Sequence, residues 1–408
     1  MKANSRTVII GAGQAGLACA AELRRRKHEG PVTLIGAEAA LPYQRPPLSK
    51  AYLSGEMPAD RLWLKPEAFY AAADITCRTN NRAAAIDRDA RQVLLESGER
   101  LDFDHCVIAT GGEARRPAVP GADLPGVHVL RTLHEADALS AALKTAGRIV
   151  IIGAGYIGLE VAASVRKRGH DVVVLEAAER PMARTASPLI SGWFGALHRG
   201  YGVDLRVSEP VAAIIEREGR AAGVRLANGE EVEADLVLLA AGLALNTQLA
   251  EAAGLTCEDG ILTDNATRTS DPAVLAAGDV ARFHSGLYGR SIRLESVQNA
   301  IEQGKAAAAT ICGDTVHYDP VPWFWSDQYE IKLQIAGLIE GADEIVRRGD
   351  PELGRFAVFH MKERRIIACE AVNAAPEYMA AQKLIAARRQ VDAQALRNLD
   401  VAMRDLLS

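Results

Sequence analysis

One glycine-punctuated segment occurs twice in this chain, and that repetition restricts the possible folds more than any other feature. Thr7-Val-Ile-Ile-Gly-Ala-Gly-Gln-Ala-Gly16 reappears as Ile149-Val-Ile-Ile-Gly-Ala-Gly-Tyr-Ile-Gly158. In each copy a short β-branched strand runs into a glycine turn and then into a helical pattern (residues 17–27 and 159–168), followed by a second apolar strand (32–35 and 172–175). The likeness continues downstream. Val93-Leu-Leu-Glu-Ser-Gly-Glu-Arg-Leu101 and Val224-Arg-Leu-Ala-Asn-Gly-Glu-Glu-Val232 both read as hairpins, tipped by Ser97-Gly98 and Asn228-Gly229. Each leads into an apolar strand ending at glycine, Cys106-Val-Ile-Ala-Thr-Gly111 and Leu236-Val-Leu-Leu-Ala-Ala-Gly242. A whole strand, helix, strand, hairpin and strand unit is therefore duplicated.

The glycines of each loop have separate mechanical tasks. Gly11 and Gly153 allow the tight strand-to-helix turn; Gly13 and Gly155 leave room for a diphosphate; Gly16 and Gly158 let helix and strand approach. The amides and dipole of the helix start then favour phosphate. A single Gly-x-Gly-x-x-Gly string is weak evidence, whereas two copies in matched context predict two dinucleotide sites. An acid to hold the adenine-side ribose is expected roughly 20 residues on. Glu38 lies 25 residues after Gly13, and Glu176 lies 21 after Gly155. The plain alternative for either acid is a solvated strand end. A carboxylate at Glu176 would face the extra phosphate of NADPH, so the second site is expected to prefer NADH.

Composition narrows the class further. The 408 residues are too many for one ordinary core. The balance of 47 basic and 52 acidic residues argues against nucleic acid and against a basic membrane patch. No apolar run approaches the about 18–20 residues of a membrane span. Residues 1–6 run straight into a strand without the features of a signal peptide, so a cytoplasmic location is expected. The six cysteines (Cys19, Cys77, Cys106, Cys257, Cys312, Cys369) form no Cys-x-x-Cys pair and no zinc spacing, so buried thiols are expected and dithiol redox chemistry is not. The histidines, His105 and His317 among them, show no metal-ligand spacing, and no metal is expected.

Three further strings are far more distinctive: Leu41-Pro-Tyr-Gln-Arg-Pro-Pro-Leu-Ser-Lys50, Val297-Gln-Asn-Ala300 and Pro322-Trp-Phe-Trp-Ser-Asp-Gln328. With the two loops they make the whole chain resemble the FAD-dependent NADH:ferredoxin reductases of bacterial oxygenase systems, which serve Rieske dioxygenases and haem-thiolate monooxygenases in aromatic hydrocarbon catabolism. The resemblance implies an α/β fold with two Rossmann-like, glutathione-reductase-like dinucleotide-binding domains and a C-terminal α+β domain. FAD would bind residues 1–111 with 245–317, NADH residues 112–244, and residues 318–408 would form a C-terminal interface domain. The partner would be a [2Fe–2S] ferredoxin, and the enzyme a monomer or weak homodimer.

Carried over residue by residue, the resemblance assigns FAD contacts to Gly11, Gly13, Ala15, Gly16, Glu38, Arg45, Lys50, Ala83, Arg131, Asp279, Val297 and Trp325. It assigns NADH contacts to Gly153, Gly155, Tyr156, Ile157, Gly158, Glu160, Glu176, Arg184 and Gly242. Some relatives carry an acid directly after the glycine at Gly36, where this chain has Ala37. Lys50 and Glu160 would meet as a catalytic pair, with Glu160 expected in the first turn of its helix; the plain alternative for Lys50 is a solvated residue after Pro46-Pro47. Trp323, Phe324 and Trp325 read equally well as interface core. Arg290, Arg293, Arg347 and Arg348 are candidates for docking an acidic ferredoxin. Yet residues 316–408 hold 12 basic and 14 acidic positions, so ordinary solvated arginines remain the simpler reading of any one. A rubredoxin, quinone or peroxide reductase, or a non-catalytic flavoprotein, would share the same domains.

Overall fold

The computed structural model describes residues 4–407, which divide into two compact units. Met1–Gln44, Ala59–Glu113 and Ala244–Pro322 form one; Arg45–Pro58, Ala114–Leu243 and Trp323–Ser408 form the other.

The first unit is built on a five-stranded parallel sheet in the order Val274–Ala276, His105–Ile108, Thr7–Ile10, Val32–Ile35 and Ile75–Arg78. Its central strands are β-branched runs with no polar alternation, as sheets covered on both faces require, and Ile9, Leu34 and Val107 are fully buried. The helix Gln14–Arg25 leaves the glycine turn and packs against the helix Val297–Cys312. That approach is close because Gly304 has no side chain: a Cβ there would lie 2.4 Å from the Ala15 carbonyl oxygen.

The second unit repeats the plan in the order Asp204–Val207, Asp171–Glu176, Arg148–Ile152, Leu236–Leu239 and Val127–Val129, again all parallel. Both expected hairpins are present, with Val93 opposite Leu101 and Val224 opposite Val232, and each gains a preceding strand to form a three-stranded meander (Ala83–Asp87; Val211–Arg217). Gly98 and Gly229 both have positive φ at the tips. The fifth strand is where the two copies part. In the first unit it returns from beyond the repeat, at Val274–Ala276; in the second it arrives from before it, at Val127–Val129.

The second unit also contains a five-stranded antiparallel sheet, ordered Trp323–Gln328, Ile331–Gly337, Arg365–Val372, Arg355–Lys362 and Glu344–Asp350, with the helix Ala375–Ala387 packed on it. Along Trp323–Gln328, Ser326 and Gln328 are fully buried on one side, as the two-residue period of a strand dictates. No helix among the described residues is long and apolar enough to cross a membrane.

Candidate dinucleotide and redox site

In the first loop, backbone atoms crowd two of the glycines and leave the third open. A Cβ on Gly11, whose φ is +115°, would lie 2.1 Å from the Ala109 carbonyl oxygen, and one on Gly16 would lie 1.9 Å from the Gly11 oxygen. Gly13 would meet nothing within 4 Å. Gly153 and Gly158 are blocked in the same way, by the Ala240 and Gly153 oxygens at 2.5 and 2.1 Å, while Gly155 faces open space. Gly13 and Gly155 each cap a 12-residue helix with no side-chain capping bond, and the first amides of a helix have no partner within it. Open space at a helix start leaves room for a diphosphate in both units.

Around the first loop, Glu38 lies beyond the strand Val32–Ile35 and accepts a hydrogen bond from the buried Tyr43 hydroxyl at 2.5 Å. Gly36 keeps this path open, since a Cβ there would press on Ala12 at 2.7 Å. Asp279 follows Gly278, which turns at φ +84° and whose amide donates to Gln303 Oε1 at 2.8 Å. Val297 starts a helix capped by the Ser296 hydroxyl, and Ala83 opens the meander. Gly11, Gly13, Ala15, Gly16, Glu38, Ala83, Asp279 and Val297 all belong to the first unit; Arg45, Lys50, Arg131 and Trp325 belong to the second.

Around the second loop, the Glu176 carboxylate is clamped by two backbone amides, Ala154 to Oε2 at 2.7 Å and Ala178 to Oε1 at 2.8 Å. It thus sits at the glycine turn itself, at the end of the strand Asp171–Glu176. Arg184 and Gly242 come together as well, a Cβ on Gly242 lying 3.3 Å from the guanidinium. Tyr156 packs its ring on Phe324 at 4.4 Å, and burial pushes its phenol well above the usual range. Ile157 is exposed.

Lys50 and Glu160 meet. The ammonium lies 2.6 Å from Glu160 Oε2, with the carboxylate buried and the lysine about one-fifth exposed. Pro46–Ser49 form a short 3-10 turn that ends at Lys50. The segment is strapped to the helix Tyr156–Lys167 by Ser164 Oγ on the Ser49 carbonyl (2.7 Å), and to the residue that ends that helix by Arg168 on the Leu53 carbonyl (2.9 Å). At its start, Arg45 donates to the Arg131 carbonyl at 2.7 Å, bringing together two more of the expected residues. The helix begins at Tyr156, so Glu160 opens its second turn and not the first. The helix dipole fades over one turn, and it is the direct donors that hold this carboxylate. Two of those donors escaped the sequence reading: Ser49 Oγ at 2.6 Å from Oε2 and Ser326 Oγ at 2.7 Å from Oε1. Both lie inside the distinctive strings 41–50 and 322–328, but sequence spacing does not show which distant carboxylate a serine hydroxyl meets.

Trp325 and Trp323 are half-buried, their rings 5.9 Å apart. Of the four docking arginines, Arg348 is overturned. Its neighbour Arg347 faces solvent on the strand Glu344–Asp350, so Arg348 points inward, where it is buried and donates to the carbonyls of Leu396, Asn398 and Val401. Arg293 is mostly covered and paired with Glu295 and Asp259. The six cysteines carry free thiols, all raised in pKa by burial, and no cluster of metal-ligating side chains occurs among the described residues.

Comparison with known proteins agrees with this architecture. Residues 5–304 match the pyridine nucleotide-disulphide oxidoreductase family and residues 323–407 the reductase C-terminal family, so the chain belongs to the pyridine nucleotide-disulphide oxidoreductases. It is 45% identical to rhodocoxin reductase of Rhodococcus erythropolis, over 93% of this chain and 89% of that one. It is 40% identical to putidaredoxin reductase of Pseudomonas putida, over 100% and 98% of the two chains. The crystal structure of the ferredoxin reductase of the CYP199A2 system from Rhodopseudomonas palustris superposes with a TM-score of 0.97 at 40% identity, covering 99% of this chain and 100% of that one.

Proposed function

We propose that this protein is an FAD-containing, NADH-dependent ferredoxin reductase that feeds a Rieske dioxygenase or haem-thiolate monooxygenase through a [2Fe–2S] ferredoxin. It would work in the cytoplasm as a monomer or weak homodimer. The observation that carries the reading is the duplicated glycine loop, open at Gly13 and Gly155 and blocked at its other glycines, together with the buried Lys50–Glu160 pair. FAD is assigned to residues 1–111 and 245–317, NADH to residues 112–244, and the partner surface to residues 318–408.

FAD bound there would supply the redox chemistry, accepting two electrons as hydride and passing them on one at a time. The chain's own part is binding, orientation and charge. The amides of the first loop would hold the FAD diphosphate, with Ala15 beside them and Glu38 on the adenine-side ribose. Asp279 would take the ribityl hydroxyls; Arg45, Lys50, Ala83, Arg131, Val297 and Trp325 would complete the FAD set. The second loop, with Tyr156, Ile157, Arg184 and Gly242, would hold NADH, and Glu176 would accept both ribose hydroxyls. Lys50 would supply positive charge at the reacting rings, and Glu160 would hold it in place.

The test uses the protein as purified. It should be yellow, lose its flavin colour under anaerobic NADH, and reduce cytochrome c only when a [2Fe–2S] ferredoxin is added. A colourless protein that takes up no FAD overturns the reading, and flavin reduction without any ferredoxin-dependent electron transfer overturns the partner alone.

A further inference from the structure

Glu160 is the end of a buried chain of side chains from three elements of one unit. Ser326 Oγ lies 2.7 Å from Glu160 Oε1. Gln328 Nε2 lies 3.1 Å from Ser326 Oγ, and Gln328 Oε1 lies 2.8 Å from His198 Nε2. The Tyr329 hydroxyl approaches His198 Nδ1 at 3.4 Å. Glu160 is almost wholly covered, and Ser326, Gln328 and His198 are wholly so. Ser326 and Gln328 share a face of the strand Trp323–Gln328, while His198 comes from the helix Pro188–Gly200.

Chemistry fixes the direction of every link. A carboxylate only accepts, so the single hydroxyl hydrogen of Ser326 must go to Glu160. The serine oxygen is then free to accept from the Gln328 amide nitrogen. That turns Gln328 Oε1 towards His198, which must present a hydrogen on Nε2 and accept the tyrosine hydroxyl at Nδ1. Burial pulls the His198 pKa down to about 4, which keeps the ring neutral and limited to one ring hydrogen. Flipping the amide would leave one Ser326 hydrogen between two acceptors, Glu160 Oε1 and Gln328 Oε1, so that one buried oxygen would lack a donor, a costly state. One amide orientation and one histidine tautomer therefore satisfy the whole chain.

We propose that Ser326 and Gln328 are positioning residues for flavin reduction: they pin Glu160 Oε1, so that Oε2 meets Lys50 in a single geometry, with His198 setting the donor direction from behind. This rests on the reading of Lys50 and Glu160 given above, and the experiment separates the two. The holoenzyme is reduced anaerobically by NADH in a stopped flow, and the limiting rate and the apparent Kd for NADH are read separately for wild type, Ser326→Ala, Ser326→Thr, Gln328→Leu and Glu160→Gln. Ser326→Ala should lower the limiting rate by about five- to thirtyfold, the scale of one charge-assisted hydrogen bond. The Kd should stay within about twofold, since no group that would touch NADH has changed. Ser326→Thr, which restores the hydroxyl, should recover most of the rate, and Gln328→Leu should lower it by a smaller factor.

A limiting rate unchanged in Ser326→Ala while Glu160→Gln is slowed overturns the positioning role and leaves Glu160 standing. An unchanged rate in Glu160→Gln overturns both. A Ser326→Ala loss that the threonine variant fails to recover also overturns the proposal, because the hydroxyl would then not be its cause. Should Ser326→Ala not retain FAD, Ser326→Cys, a weaker donor of similar size, takes its place with the same split between rate and Kd expected at a smaller loss.

Discussion

The Lys50 ammonium lies 2.6 Å from Glu160 Oε2 across 110 residues of sequence, and two serine hydroxyls complete the shell of the same buried carboxylate. Breaking a fully buried ion pair by removing one partner costs about 3–5 kcal/mol. Lys50 is partly exposed and both serines would remain, so Lys50→Met should cost less, about 2–3 kcal/mol. Its limiting rate of flavin reduction should fall about tenfold or more. Adding Glu160→Gln should restore much of the stability, because no lone charge is left inside, without restoring the rate. Thermal melts and stopped-flow reduction on the three proteins check both halves; full-rate reduction in Lys50→Met would remove the lysine from the chemistry.

The first loop separates folding from cofactor binding. Gly13 has an ordinary extended backbone and open space where a Cβ would be, so Gly13→Ala should fold with apo-protein stability within about 1 kcal/mol of wild type. It should nonetheless lose FAD, since the methyl would stand where the diphosphate belongs. Gly11→Ala meets both a positive φ and a carbonyl oxygen at 2.1 Å, and should fail to fold stably. Flavin absorbance after gel filtration, beside circular-dichroism melts of the apo forms, distinguishes the two. A Gly13→Ala protein that keeps its full flavin content would argue against a diphosphate at that loop.

Much of this was legible in the sequence because backbone geometry demands particular residues. Gly11, Gly16, Gly153 and Gly158 are forced by carbonyl oxygens within about 2–2.5 Å, and such positions print directly as a motif. The hairpin tips at Gly98 and Gly229 are legible for the same reason. The fifth strand of the second sheet was not, because Val127-His128-Val129 is only three residues long and carries no periodicity that assigns it to a sheet. Nor did the sequence show that Arg45–Pro58 clusters with the second unit, which depends on long-range bonds such as Ser164 to Ser49. Ser49, Ser326 and the inward turn of Arg348 were hidden alike, since a hydroxyl or a guanidinium reveals its role only through partners distant in sequence.

Glu176 should set the choice of nicotinamide cofactor. Two amides fix its carboxylate at the turn, so it cannot easily swing aside from a 2′-phosphate. Like charges about 4 Å apart repel by about 1–4 kcal/mol depending on screening, or roughly five- to a thousandfold. NADH should therefore exceed NADPH in kcat/KM by a factor in that range, and Glu176→Gln should narrow the gap. Steady-state kinetics with both cofactors is the check, and a ratio near one in the wild type would remove this role.

Acid should weaken the fold through His198. Its folded pKa is depressed to about 4 against an ordinary value of 6.5, because burial disfavours the charged ring. The unfolded chain therefore takes up this proton first. The contribution is fully present above pH 6.5, declines as the pH falls, and is lost by about pH 4, a change of about 3 kcal/mol. His28, His105 and His128 are shifted down by burial too and act in the same direction, so the wild-type slope exceeds that of one residue. Urea melts from pH 7 to 4.5 should show a shallower slope for His198→Gln than for wild type, and equal slopes would place the histidine's titration elsewhere.

Adjacent arginines on one strand should behave in opposite ways. Arg348 binds three carbonyls of the C-terminal tail and pairs with Glu377. Arg348→Ala would leave those groups without their buried donor, at about 3–5 kcal/mol, and should open the tail to protease. The ionic-strength dependence of ferredoxin reduction should be unchanged, because this charge does not face solvent. Arg347 is exposed and costs little to replace, so Arg347→Glu should leave the melting temperature nearly intact. If Arg347 helps steer an acidic ferredoxin, kcat/KM for that partner should drop at low salt and converge with wild type as salt screens the field. Measuring kcat/KM for ferredoxin across a salt series in both variants decides the matter: an Arg347→Glu curve that overlies wild type at every ionic strength excludes this residue from the docking field.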